Sequence, residues 1–348
     1  MRAIDRKLTR DLWYLRGQAL AIALVLACGV AMSVMALGML RSLEETRDSY
    51  YERYRFADVF AHVKRAPSWL TRRLAEVPGV AAVNARVTTA ATLDIAGMDE
   101  PATARILSLP GHGEAVLNDI AMRVGRRPAP GRTGEVLVGE AFAVAHAMVP
   151  GDTLRATVNG VARQLTVVGV ALSPEYVYAI GPGSLVPDDR RFAVLWMEER
   201  GLAAVTDMTG AFNDVSFALL PGTLEAAAIA AIDRLLEPYG GTGAYGRDRQ
   251  TSNWFLDGEM KELAAMAQLI PPIFLGVAAF LLNIVVGRLV ATQREQIGLL
   301  KALGYRDMAV GLHYGKLVGS IVLAGSLLGL GVGIWFGRGM AEIYTRFC

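Results

Sequence analysis

The residues best suited to chemistry are few and scattered. The four histidines, His62, His112, His146 and His313, form no HExxH or other metal-ligand spacing. The two cysteines are Cys28, inside an apolar run, and Cys348, the last residue, so neither a CxxC metal site nor a disulfide scaffold can be argued from them. No G-x-S-x-G turn presents a serine nucleophile. The nearest approach to the phosphate-binding pattern G-x-x-x-x-G-K-[ST] is Gly315-Lys316, where Leu317 replaces the hydroxyl that would hold Mg²⁺. The chain is therefore expected to be no enzyme, with no metal or cofactor of its own. GHGE (111–114) and GPGS (181–184) read as loops, and Asp188-Asp189 with Glu198-Glu199 as a solvated acidic face. What remains is a contact motif, QREQIGLLKALGY at 293–305. Ile297, Leu300 and Leu303 with Leu299 recur at helical spacing as an apolar stripe, while Arg294, Glu295 and Lys301 lie off it.

Three apolar runs must position that motif. Residues 19–40, 263–287 and 317–337 hold 22, 25 and 21 residues without a charge. A bilayer core needs about 20 apolar helical residues, so each run reads as a transmembrane helix. The first reads as an uncleaved anchor, because it is longer than a signal-peptide core and leaves no small-residue cleavage site before Arg41. The chain's 348 residues are 53% hydrophobic yet 20% charged, with a mean hydropathy of +0.34. A membrane part joined to a soluble part accounts for both. A net charge of +2 gives no general attraction to nucleic acid. No span contains Asp, Glu, Lys or Arg, which disfavours a proton or ion pathway.

Positive charge sets the orientation. Arg2, Arg6, Lys7, Arg10 and Arg16 precede the first span, and Arg288, Arg294, Lys301, Arg306 and Lys316 separate the second from the third. Residues 1–18 and 288–316 are thus expected in the cytoplasm, with 41–262 and a short tail, 338–348, outside.

The outer segment reads as an α+β domain. Its edges, 41–55 and 253–262, carry helix formers and could extend the adjoining spans as a stalk. FADVFAHV (56–63) alternates like a strand, Pro67 suits the first turn of a helix over 67–77, and 80–97 reads as one or two strands. A β-rich insert is expected at about 115–200, with Asn159-Gly160 as a hairpin turn. A strand (212–220) and a helix (223–239) close the domain.

Within the membrane part, Pro271-Pro272 should remove a backbone hydrogen bond and make a hinge. Gly325, Gly329, Gly333 and Gly337 recur every four residues, a smooth stripe for close helix packing, either within the chain or between subunits. From Arg288 the second span can continue as a helix until Gly304 stops it, and Asp307 can cap the next helix. The elbow so formed exposes its apolar stripe either to a docking protein or to lipid headgroups.

The order of anchor, large outer domain, second span, charged elbow and glycine-rich third span resembles the FtsX-like permeases, the membrane subunits of MacB-type ABC transporters. The motif in this sequence is Gln293-Arg294-Glu295-Gln296-Ile297-Gly298-Leu299-Leu300-Lys301-Ala302-Leu303-Gly304. The family typically has an R-x-x-E-I-G-x-x-x-A-L-G run, so Gln296 stands where Glu is commoner. GRRP (125–128), EVLVGE (135–140), PGD (150–152) and LTVVGV (165–170) resemble the MacB-like periplasmic core.

The resemblance covers almost the whole chain. It implies a multi-pass protein of a bacterial inner membrane, in which an ABC ATPase docks on Arg294, Glu295, Gln296, Ile297, Gly298, Leu300, Lys301, Leu303 and Gly304. ATP and Mg²⁺ would sit on that partner. A second permease subunit or copy, the lipid bilayer and a periplasmic adaptor are the other implied partners, and a hydrophobic or envelope substrate would be exported or extracted. The family's permease halves usually have four spans, so the chain reads as truncated or as the first half of a longer permease. The alternative is a membrane-anchored sensor or scaffold that binds an envelope partner through its outer domain.

Overall fold

A computed structural model describes the backbone of residues 3–347 and the side chains of residues 7–337. Arg2, the side chain of Arg6, and Cys348 lie outside the described residues. The chain divides into two compact units: residues 1–46 with 259–348, and residues 47–258.

The first unit is helical. It contains α1 (Ala3–Tyr14), the apolar parts of α2 (Arg16–Arg53) and α7 (Thr251–Thr292), then α8 (Arg294–Ala302) and α9 (Asp307–Phe347). Three of these helices, α2, α7 and α9, are long and apolar enough to cross a membrane. α1 was not anticipated in the flank before the first span. Residues 338–347, expected as a tail, continue α9, because nothing in them breaks a helix.

The second unit is built on two sheets. A four-stranded antiparallel sheet runs β11 (Tyr245–Gly246), β1 (Val59–Pro67), β10 (Ala211–Leu219), β2 (Val80–Arg86). Leu70 and Leu74 of α3 (Leu70–Ala75) and Ile232 and Leu236 of α6 (Glu225–Leu236) share a core with Val59, Phe212, Val215 and Phe217 of this sheet. Pro67 ends β1 rather than opening α3, whose N-cap is Trp69. Strand pairing to Ala211 holds Pro67 extended, overriding its fitness for a helix start.

The second sheet has seven strands: β3 (Thr88–Asp94), β4 (Ala102–Leu109), β5 (Ala121–Gly125), β6 (Glu135–Gly139), β7 (Thr153–Val158), β8 (Val161–Leu172) and β9 (Phe192–Glu198). Their order is β5-β8-β6-β9-β4-β3-β7, and β7 also pairs with β8, closing the sheet on itself. The 12-residue β8 makes closure possible: Val161–Thr166 pairs with β7, while Thr166–Ala171 pairs with β6. Asn159 and Gly160 join β7 to β8 with φ of 49° and 76°, the left-handed pair that a two-residue hairpin requires. The insert thus begins at Thr88, earlier than the β-rich stretch expected from about 115. Its interior is apolar, with Leu93, Ala104, Ile106, Val136, Val138, Leu154, Val167 and Leu195 buried together.

A buried ionic cluster joins the two sheets' lobes. Arg86, at the end of β2, donates Nη2 to Glu175 Oε1 at 2.6 Å. Its Nε donates to Asp214 of β10. His62 Nδ1 lies 2.8 Å from Asp214 Oδ2. Burial alone would raise the Asp214 carboxyl, but the Arg86 charge and the His62 hydrogen bond hold it well below the usual range. Burial pushes the Tyr176 phenol beside this cluster up to about 12.

Candidate functional site

The elbow is built by two interruptions. The first falls at Gln293, where α7 ends and α8 begins. The backbone hydrogen bonds Gln293 N to Leu289 O (2.9 Å) and Ile297 N to Gln293 O (3.0 Å) carry the chain through the junction. The second is a glycine stop. Gly304 takes φ 89°, its N–H bonds Lys301 O at 3.0 Å, and Tyr305 N–H bonds Leu300 O at 3.1 Å. That pair of bonds is the Schellman arrangement, which a left-handed glycine closes at little steric cost. Asp307 is the first residue of α9 rather than its cap, and its carboxylate takes Lys301 Nζ at 2.7 Å. Arg306 O accepts the first helical bonds instead.

Packing splits the predicted apolar stripe. Ile297 is half-buried and packs against the cluster that contains Ile22, Leu289, Val310, Tyr314 and Leu317. Leu300 is also half-buried. Leu299 and Leu303 point away from the bundle, 63% and 69% exposed, and Met308 beyond them is 83% exposed. Arg294, Glu295, Gln296, Gly298, Lys301 and Gly304 are exposed. The elbow therefore offers an apolar pair, Leu299 and Leu303, ringed by charged and polar groups. Ile297 anchors it from behind, because the bundle buries the face that carries Ile297.

A knot of polar side chains lies behind the elbow. Asp11 of α1 is buried, because it stands on the packed helix face that carries Leu8 and Leu12. Lys7 Nζ donates to Asp11 Oδ2 and to Gln293 Oε1, each at 2.6 Å. Gln293 Nε2 approaches Asp11 Oδ1 at 3.3 Å, His313 Nε2 lies 3.1 Å from Asp11 Oδ2, and Tyr314 OH donates to Gln293 Oε1 at 3.0 Å. Burial pushes the Asp11 carboxyl up, and the bonds from Lys7 and His313 outweigh it, so its pKa is lowered. Of these residues the sequence reading named Gln293, Lys7 and His313, but it joined none of them.

Helix packing fixes the rest of the unit. A Cβ built on Gly325, Gly329 or Gly333 would meet Ala23 O at 2.8 Å, Ala27 O at 2.6 Å or Ala31 O at 2.9 Å. The three glycines thus seat α9 on the α2 backbone, within one chain. Gly337 does not belong to this contact, since a Cβ there meets nothing within 4 Å. The stripe of α2 alanines facing it ends at Ala31. Pro271 and Pro272 lie inside α7, which continues through them without a break. Pro271 lines an apolar cleft of about 130 Å³ with Met32, Met35, Met39, Met266 and Ile270.

Three of the four histidines are engaged in the fold, His62 on Asp214, His146 on the Arg190 carbonyl and His313 on Asp11, while His112 is exposed. Among the described residues no group of three or more His, Cys, Asp or Glu is placed to hold a metal ion.

Residues 269–345 match the FtsX-like permease C-terminal family. Comparison with curated proteins returned no match. Among solved structures, the chain is similar to the extracellular domain of the noncanonic ABC-type transporter YknZ from Gram-positive bacteria, at 13% identity and TM-score 0.34, over 55% of this chain and 98% of that one. It is also similar to the periplasmic region of MacB from Actinobacillus actinomycetemcomitans, at 10% identity and TM-score 0.35, over 61% of this chain and 95% of that one. A domain of a putative permease protein from Porphyromonas gingivalis is similar at 13% identity and TM-score 0.29, over 55% of this chain and 88% of that one. The matched stretch 269–345 takes in most of the apolar part of α7, the elbow and nearly all of α9, and over it the chain is similar to the C-terminal domain of FtsX-like permeases.

Proposed function

We propose that the chain is the permease subunit of an ABC-type transporter, and that its elbow receives a separate cytoplasmic ATPase. The observation that carries this reading is the elbow's geometry inside the matched FtsX-like segment: Leu299 and Leu303 stand exposed on α8, anchored from behind by Ile297. A small apolar centre with a charged rim is the usual anatomy of a protein docking surface. The positive charge of the flanks supports a cytoplasmic position for this surface. Nucleotide-driven closure of the ATPase would then move α7 and α9, and through them the sheet domain, to export or extract a hydrophobic or envelope substrate.

The test is co-purification. The full chain taken from its native membranes is expected to bring down an ABC ATPase. Leu299→Asp with Leu303→Asp is expected to cut the retained ATPase activity at least about tenfold, since charge at a buried interface centre costs several kcal/mol. Retention of the ATPase by this variant would refute the elbow as the docking surface. Ile297→Asp is a poorer probe, because Ile297 belongs to the helix packing.

A further inference from the structure

Helix α1 has no role in the reading above, yet its Lys7 and Asp11 bond Gln293, the residue at which the elbow begins. Its residues Leu8 and Leu12, with Leu15 just past its end, join the apolar cluster of the helical unit, which also takes in Ile297. Between them stands Asp11, with 5% of its surface exposed. A carboxylate buried on an apolar helix face is costly unless it is paired and hydrogen-bonded. Here it is paired three ways, to Lys7 on its own helix, to Gln293 and to His313 on α9.

Gln293 is the informative partner. It is the residue at which α7 gives way to α8, so its placement sets the direction in which α8 leaves. Its amide oxygen accepts from Lys7 and Tyr314, and its amide nitrogen approaches Asp11. The bonds of this side chain thus run to α1 and α9. One turn on, Ile297 adds an apolar contact on the same side.

We propose that α1 is a brace for the elbow, with Asp11 as its positioning residue. Asp11 and Lys7 clamp Gln293, and the clamp fixes the orientation of α8. A load on α8 is then passed to α1 as well as to α7 and α9. The functional consequence rests on α8 being the docking segment, but the brace itself does not.

The test therefore needs no ATPase. The full-length chain in nanodiscs is digested briefly with trypsin. Cleavage at the elbow's exposed Arg294, Lys301 and Arg306 is compared with cleavage at exposed Arg132 and Arg190 of the sheet domain. Asp11→Asn is isosteric and removes the charge that Lys7 and His313 meet. It is expected to raise elbow cleavage about tenfold, in line with the loss of charge-assisted hydrogen bonds, and to leave the sheet-domain sites unchanged. Asp11→Glu is expected to recover most of the protection. Gln293→Leu should raise elbow cleavage to a similar extent, and the double variant should add little to either change alone. Elbow cleavage at the parent rate in Asp11→Asn, an equal rise at Arg132 and Arg190, or full additivity in the double variant would each overturn the brace. Failure of the docking reading would be seen separately, as retention of the ATPase by the Leu299→Asp, Leu303→Asp variant.

Discussion

Replacing Gly329 by leucine is expected to separate the first and third apolar helices and to abolish recovery of monodisperse protein from detergent. The same change at Gly331 is expected to leave recovery unchanged. The two glycines share a helix and lie two residues apart. A Cβ at Gly329 would meet Ala27 O at 2.6 Å, Val30 Cβ at 2.8 Å and Ala27 Cα at 3.0 Å, whereas at Gly331 it would meet nothing within 4 Å. The nearest atoms at Gly329 are backbone atoms of Ala27 and the Cβ of Val30, none of which can rotate aside. The two helices must move apart, and the neighbouring contacts at Gly325 and Gly333 go with them.

Alanine makes the sharper comparison, because helix propensity and packing then predict opposite signs. In a helix interior Gly→Ala is favourable by about 1 kcal/mol. Overpacking a tight contact costs about 1–3 kcal/mol, and more when a backbone must shift. Gly331→Ala should therefore raise the midpoint of heat-induced aggregation slightly, and Gly329→Ala should lower it. If both raised it, the close approach of α9 to α2 would be wrong.

This contact was largely legible in the sequence, because a four-residue glycine period survives folding as a stripe on one helix face. The three helices long and apolar enough to cross a membrane were legible for the same kind of reason, since length and apolarity are local properties. So was the glycine stop of the elbow, where a left-handed residue is needed. What was not legible is relational. Ile297, Leu299, Leu300 and Leu303 share a period, but which of them turns inward depends on helices α1 and α9 packing behind. α1 itself left a signal in Leu8 and Leu12, four apart and continued by Leu15 just past its end, masked by Lys7, Arg10 and Asp11, which read as a charged flank. The closed sheet depends on β8 changing partner along its length, and nothing in VARQLTVVGVAL announces that. Arg86 sits at the end of an ordinary strand pattern, and its partners lie 89 and 128 residues away.

Arg86→Met is expected to be the most damaging single substitution in the sheet unit. The side chain is 8% exposed, and Glu175 and Asp214 on either side of it are 4% and 5% exposed. Its guanidinium holds both, with two nitrogens on Glu175 and one on Asp214. Removing it strands Glu175 in the interior and leaves Asp214 only His62, and breaking a buried pair in this way costs about 3–5 kcal/mol. Lysine should rescue little, because a single ammonium cannot reproduce the planar fork. Removing the charges together should rescue much more: Arg86→Met with Glu175→Gln and Asp214→Asn leaves no stranded carboxylate. Urea unfolding followed by the β-sheet circular dichroism signal would rank the variants. Acid should act on the same cluster. Asp214 is depressed below its unfolded value of 3.8, so its contribution is fully present above that pH and is lost as pH falls below it toward the folded value. The parent should accordingly lose stability more steeply than the neutral triple variant as pH drops below 3.8. Identical acid sensitivity in the two would show that Asp214 does not carry the linkage, and an Arg86→Met protein as stable as the parent would show that the two lobes are held by their apolar contacts instead.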